Sequence, residues 1–236
     1  AAQLQAQPHN LQSSVVMIGF TKIDDLSSLS SASLSLQPSA LEVVDKNLLN
    51  EVHSLQPNQL RGILEDPYPN FVLIVEFDDI KEKDQQRKIK KLSKMLDELD
   101  GSLLAETSDP DEKDKIWKVR NSAAVVMGAN FKGRSALPII EDGCVPHENF
   151  AKLISGTYAL FNKHNLEVAI WGHAGDANIH IQPMLNLANL GDRQKAFKIM
   201  DAYYGMVLEL GGTISGEHND GRLRTPYMKE MYSPEV

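Results

Sequence analysis

Short apolar runs alternate along this chain with stretches where apolar residues return every three or four positions. The first pattern predicts strands and the second amphipathic helices. Residues 15–20 form an apolar run that ends in polar residues, a strand. In the serine-rich stretch DDLSSLSSASLSL, Leu26, Leu29 and Leu36 make a sparse helical stripe, so it reads as a solvated helix rather than a linker, stopped by Pro38. Residues 41–44 read as a strand and 46–55 as a short helix. PNQLRGILEDPYPN is a turn-rich connection, and 71–77 (FVLIVEF) is the clearest strand in the chain.

Ile89, Leu92, Met95, Leu96 and Leu99 recur at helical spacing in a strongly charged segment that Asp100-Gly101 ends; 102–105 follows as a strand. Asp109-Pro110 starts a helix with an acidic first turn, which continues through Trp117 to about Met127. Residues 136–140 are strand-like, and GCVPHEN leads into a helix over 150–161. Residues 168–171 and 178–182 are strand pieces separated by GHAGDA. A long helix then places Ala196, Phe197, Met200, Tyr203, Tyr204, Val207 and Leu208 on one face, with Gly211-Gly212 as its cap. Residues 213–215 are extended and GEHNDG is a turn-rich loop.

Not every strand is the near-continuous apolar run of a parallel sheet. The pattern therefore predicts an α+β fold, an antiparallel or mixed sheet with helices on one face. No internal repeat is visible. Residues 1–13 are Gln- and Ala-rich and read as a flexible lead-in to one domain over 14–236.

Composition narrows the function classes. The 236 residues are 42% hydrophobic and 24% charged, with 24 Lys+Arg against 32 Asp+Glu and a net charge of −8. That balance argues against nucleic acid or an anionic membrane as partner. No apolar run approaches the ~20 residues of a membrane span. Cys144 is the sole cysteine, which excludes an intrachain disulfide and a thiolate metal cluster. The N-terminus lacks the regions of a secretory signal, so the cytoplasm is the default location.

Four places offer chemistry. In Trp171-Gly172-His173-Ala174-Gly175-Asp176-Ala177-Asn178-Ile179-His180, two histidines stand seven residues apart. On a straight strand they would face opposite sides; a bend at Gly172 and Gly175 would let both imidazoles meet a first-row metal. The bland alternative is two unrelated histidines on a strand–turn–strand. In Gly216-Glu217-His218-Asn219-Asp220-Gly221, a carboxylate beside an imidazole could supply a third ligand and a general base, or the loop is a solvated turn. Arg120 falls within the apolar stripe Ile116, Trp117, Ala123, Ala124 and Met127; a guanidinium there suits a substrate carboxylate or a structural ion pair. Arg222 and Arg224, with Tyr227, could hold an anion, although a structural carboxylate of another domain is the favoured partner.

Together, WGHAGDANIH and GGTISGEHNDGRLRTPY resemble the C-terminal, substrate-side domain of FAD-linked oxidases. These are the vanillyl-alcohol-oxidase-type flavoproteins that include D-lactate, glycolate and D-2-hydroxyglutarate dehydrogenases. WKVRNSAAV and ALPIIEDGCVP resemble the family's substrate-arginine helix and the strand after it, so the likeness covers most of the chain. It implies a ferredoxin-like cap domain and an FAD-dependent oxidation of a small D-2-hydroxy acid to the 2-oxo acid. It implies His173, His180 and Glu217 as ligands of a divalent metal (Zn, Mn or Fe), His218 as the base, Arg120 for the substrate carboxylate and Asn178 near the flavin. Three positions depart from the family pattern. Ala177 replaces a glycine, Asn219-Asp220 replaces Gly-Ile, and Ile140 or Glu141 stands where some D-2-hydroxyglutarate dehydrogenases carry a carboxylate-binding lysine.

No Gly/Ser-rich pyrophosphate loop is present, so the resemblance implies an FAD-binding domain elsewhere in the same protein or in a partner subunit, and an isolated chain that is inactive. The alternatives are a non-catalytic module that binds a metal or a small acid, and a metal-dependent hydrolase using the same His/His/Glu set.

Overall fold

A computed structural model describes residues 12–127, 129–131 and 134–233. Most of the expected lead-in, residues 1–11, lies outside them. In chain order the elements are β1 (Ser14–Phe20), α1 (Ile23–Ser33), β2 (Ala40–Asp45), α2 (Lys46–Leu55), β3 (Phe71–Phe77), α3 (Glu82–Leu96), β4 (Gly101–Thr107), α4 (Pro110–Asn121) and α5 (Ala123–Val126). Then come β5 (Asn130–Phe131), β6 (Arg134–Ala136), β7 (Gly143–Cys144), α6 (Phe150–Lys163), β8 (Val168–His173), β9 (Asn178–Leu185), α7 (Leu190–Glu209), α8 (Gly221–Arg224) and α9 (Met228–Met231).

The helix ends follow local chemistry. Asp45 caps α2 by accepting the Leu48 N–H, and its other oxygen accepts from the Tyr158 hydroxyl at 2.6 Å. Asp109 caps α4 by accepting from the N–H groups of Asp111 and Glu112, with Pro110 at the first helical position. At the C-terminus of α7, Gly211 takes a positive φ of 75° and its N–H donates to the Leu208 carbonyl.

The sheet is antiparallel throughout, in the order β4-β1-β3-β2-β8-β9-β6-β5, with β7 also on β9. The first four strands, ordered 4-1-3-2 with α1 and α3 as crossovers, form a ferredoxin-like unit. The same plan returns in the second half: β7, α6, β8, β9 and α7, followed by a bridge from Thr213 to Cys144. The two units join through their second strands, β2 against β8. This duplication is topological and leaves no repeat in the sequence. The connection between the two middle strands is the helix α2 in one unit and a single 3₁₀ turn, Ala174–Asp176, in the other.

The larger helical layer, α1, α3, α6 and α7, covers one face against Val16, Ile18, Val43, Leu73, Val75, Ile170 and Ile181. The opposite face carries a second, smaller layer from α2, α4 and α5, packed on Val15, Met17, Val44, Val72, Ile74 and Trp171. Burial from both sides is why β1 and β3 read as unbroken apolar runs. By contrast β4, an edge strand, leaves Leu103 and Leu104 exposed.

Two expected elements differ. The helix meant to reach Met127 breaks at Ser122, whose hydroxyl donates to the Val119 carbonyl at 2.6 Å. Val119 and Val126 are then buried, while Met127 is exposed. The strand expected over 136–140 ends at Ala136, and Leu137–Ile140 is irregular, with the Ile139 N–H folded back on the Leu137 carbonyl.

Candidate active site

Strand period and register bring the motifs together. On β8, Trp171 and His173 point to the smaller helical layer, as do Glu42 and Val44 on β2 and His180, Gln182 and Met184 on β9. Antiparallel pairing sets Trp171 opposite His180, His173 opposite Asn178, and Glu42 opposite His173. The two histidines seven residues apart thus share one sheet face because the chain reverses between them. Their ring centroids are 5.3 Å apart.

The bend differs in detail from the one expected. The left-handed residue is Ala177, at φ 49°, which explains the glycine usual there. Gly172 serves close approach instead: a Cβ there would collide with the Asn178 carbonyl oxygen and lie 2.8 Å from Ile179 Cα. Gly172→Ala is expected to destabilise the fold by about 3 kcal/mol, read as a lower urea midpoint at unchanged slope. An unchanged midpoint would mean the hairpin can open at no cost.

The GEHNDG loop is held by Asp142, which is fully buried. Its carboxylate accepts from the N–H groups of Gly216 (3.1 Å), Glu217 (3.0 Å) and His218 (3.0 Å). It also accepts from Arg224 Nη1 at 2.6 Å and the Asn178 amide at 3.3 Å. Arg224 further donates to the carbonyls of Ile214 and Asn219. The structural carboxylate for Arg224 therefore lies within this domain, not in another one. Arg222 is exposed, and the Tyr227 hydroxyl donates to Asp201 at 2.6 Å. Asn219, in the place of a glycine, sits at φ 61°, a conformation asparagine tolerates.

So clamped, the loop aims Glu217 and His218 at the sheet. Glu217 Oε1 lies 2.9 Å from His173 Nε2, 3.1 Å from His180 Nε2 and 3.4 Å from His218 Nε2. The three Nδ1 atoms are engaged behind. His173 Nδ1 is 2.8 Å from Glu42, His180 Nδ1 is 3.3 Å from Glu141, and His218 Nδ1 is 2.8 Å from Glu141. His218 stacks on His180 with centroids 4.7 Å apart.

Electrostatics follow the same contacts. The Glu42 hydrogen bond outweighs burial and raises the His173 pKa above its usual value. Burial would lift the carboxyl of Glu141, but the hydrogen bonds from His180 and His218 prevail and hold it below the ordinary range. For Asp142 burial is likewise overcome by the Glu217 and His218 N–H groups, with Arg224 and Asn178 adding to them, and its pKa is lowered.

This donor set fits a first-row divalent cation. Ligand atoms about 2.0–2.1 Å from one ion stand roughly 2.9–3.4 Å from each other, and the Nε2 atoms of His173 and His180 lie 2.9 and 3.1 Å from Glu217 Oε1. Two overlapping trios, His173–His180–Glu217 and Glu141–His180–His218, have ligand atoms within 4.8 Å of one another. The first fits better, since carboxylates on each Nδ1 fix the imidazoles with Nε2 facing inward.

These groups line a cavity of about 290 Å³ with Arg120, Met127, Pro138, Trp171, Ile181 and Gln182. Arg120 uses Nε on Glu42 at 2.6 Å. It thus combines a structural ion pair with a place at the cavity wall. Asn178 sits behind the wall, bracing Asp142. Sequence reasoning missed Glu42, Asp142, the role of Glu141, and Gln182, a fully buried amide with neither atom paired among the described residues.

The sequence model for "FAD linked oxidases, C-terminal domain" matches residues 10–236. A D-2-hydroxyglutarate dehydrogenase of Haemophilus influenzae is 35% identical over 131 residues, 55% of this chain and 12% of the relative. A D-lactate dehydrogenase of Anaerostipes hadrus is 28% identical over 208 residues, 84% of this chain and 42% of the relative. This chain therefore spans less than half the length of either curated relative. Among solved structures, a 4-ethylphenol oxidase from Gulosibacter chungangensis superposes with TM-score 0.63 at 14% identity, over 89% of this chain and 46% of that one. That likeness is one of fold.

Proposed function

Because the chain belongs to the family of FAD-linked oxidase C-terminal domains, we propose that it is the substrate-side half of an FAD-dependent dehydrogenase oxidising a D-2-hydroxy acid to the 2-oxo acid. Lactate, glycolate and 2-hydroxyglutarate define the substrate type. The relatives named D-2-hydroxyglutarate and D-lactate dehydrogenase support that class. The observation that carries the reading is the convergence of three imidazole Nε2 atoms and one carboxylate oxygen in the cavity that Arg120 lines.

Arg120 binds the substrate carboxylate through its terminal nitrogens, since Nε is committed to Glu42. The Nε2 atoms of His173 and His180 and Oε1 of Glu217 would hold a divalent cation, which when bound supplies a Lewis acid that lowers the pKa of the substrate hydroxyl. His218 takes the hydroxyl proton at Nε2, its Nδ1 being occupied by Glu141. FAD, when bound, supplies the hydride acceptor, with an FAD-binding domain beyond this chain as its main support. Asn178, the residue proposed nearest the flavin, has a buried Oδ1 without a partner among the described residues. Met127, Pro138, Trp171 and Ile181 supply the apolar part of the lining beside the reacting groups.

The test is flavin bleaching of the full-length, flavin-loaded protein by a panel of D- and L-2-hydroxy acids, with and without chelator. Bleaching by D-acids that the chelator slows and added metal restores is expected. Bleaching indifferent to thorough chelation would sink the metal assignment. Metal uptake without any bleaching would leave a non-catalytic binding module.

A further inference from the structure

We propose that Glu42 is a positioning residue that fixes the metal-facing tautomer of His173 and the aim of Arg120 with one carboxylate. The inference rests on the reading above. Glu42 lies on β2, is only 9% exposed and does not line the cavity. Its Oε1 is 2.8 Å from His173 Nδ1, and its Oε2 is 2.6 Å from Arg120 Nε. Both contacts come from behind the groups that face the cavity.

The placement is built by register. β2 and β8 are the strands through which the two ferredoxin-like units join, and Glu42 and His173 are direct cross-strand partners there. Neighbouring residues on the same face, Val44 and Trp171, pair in the same register. Arg120 reaches Glu42 from α4, in the smaller helical layer above.

A carboxylate is the side chain this position needs. Both neighbours donate: the guanidinium always, and Nδ1 whenever Nε2 is to remain a free lone pair. Only an acceptor on both oxygens satisfies the two at once. With His173 Nδ1–H held, Nε2 is the nitrogen left to share a cation with Glu217 Oε1, 2.9 Å away. With Arg120 Nε held, the terminal nitrogens are left for an anion. One rigid group thereby sets the separation between the carboxylate end and the hydroxyl end of a bound 2-hydroxy acid.

Glutamine at this position offers one acceptor and one donor to two donors. Facing Arg120 with its oxygen, it turns its NH₂ to His173 Nδ1, which then favours the Nε2–H tautomer that cannot ligate. The experiment is Co²⁺ titration of the chain, with the visible d–d bands as signature of ligand geometry and a competing chelator for affinity. Wild type is expected to take one Co²⁺. Glu42→Gln should bind it roughly 10–100-fold more weakly, with altered bands. In a His173→Ala background the same substitution should change nothing further.

If Glu42→Gln folds poorly, the paired replacement Glu42→Leu/Arg120→Met removes both charges together, which buried pairs tolerate, and must show the same weakening. Wild-type affinity and bands in either variant would overturn the proposal, as would equal weakening with His173 already removed. Wild-type chain that takes up no Co²⁺ would overturn it together with the metal site; Co²⁺ uptake untouched by Glu42 would overturn it alone.

Discussion

Replacing His218 by alanine is expected to lower turnover of the flavin-loaded, full-length protein by roughly 10²–10⁴-fold, the usual contribution of a general base. The side chain is 46% exposed, so its removal costs little packing. The loop does not depend on it either, since the His218 N–H, which stays, is what Asp142 holds. Its imidazole is pre-oriented: Nδ1 faces both oxygens of Glu141 at 2.9 and 2.8 Å, and the ring lies on His180. On the reading proposed above, Nε2, which stands 3.4 Å from Glu217 Oε1, is the atom that meets the substrate hydroxyl. The loss should therefore fall on the rate of flavin reduction, with acid binding through Arg120 largely kept. Stopped-flow bleaching by a saturating D-2-hydroxy acid measures it. A variant that bleaches at the wild-type rate would move the base elsewhere.

Most elements were legible because local patterns are strong where one side chain period dominates. Residues 46–55 and 71–77 carry their own boundaries, the first by Asp45 as cap and the second by its unbroken apolar run. The histidines, Glu217 and Arg120 were legible as residue types suited to a metal and an acid. Their partners were not. Glu42 meets His173 across 131 residues, and Asp142 meets Arg224 across 82. Such contacts depend on strand order, and the β2–β8 seam has no signature in either strand. The second helical layer was hidden for a related reason, since burial of a strand on both faces erases the alternation that marks one wet face. Ser122 hid the break after α4, because a serine that bonds back to its helix looks like any other polar position.

Asp142→Ala is expected to be among the most damaging single changes in the chain. It strips the partner from Arg224, which is itself 5% exposed, and leaves a guanidinium buried without an anion. Breaking such a pair costs about 3–5 kcal/mol, a large part of the roughly 5–15 kcal/mol that holds a domain folded. The N–H groups of Gly216, Glu217 and His218 lose their acceptor in the same step. Glu217 and His218 then no longer converge on His173 and His180, so metal uptake should fail even in molecules that remain folded. The pH dependence has a definite sign. The native carboxyl of Asp142 titrates below its unfolded value. Its contribution is therefore complete above about pH 4, the ordinary aspartate range, and disappears as pH falls through the lowered native value. Glu141, also held low, adds to the same slope. Urea unfolding from pH 7 down to pH 3 should show wild type weakening on acidification, and the variant starting lower with a shallower acid limb. Restoration of part of the stability by the double change Asp142→Leu/Arg224→Met would identify the stranded guanidinium as the main cost. A single Asp142→Ala variant as stable as wild type at pH 7 would show that the loop is held by other contacts.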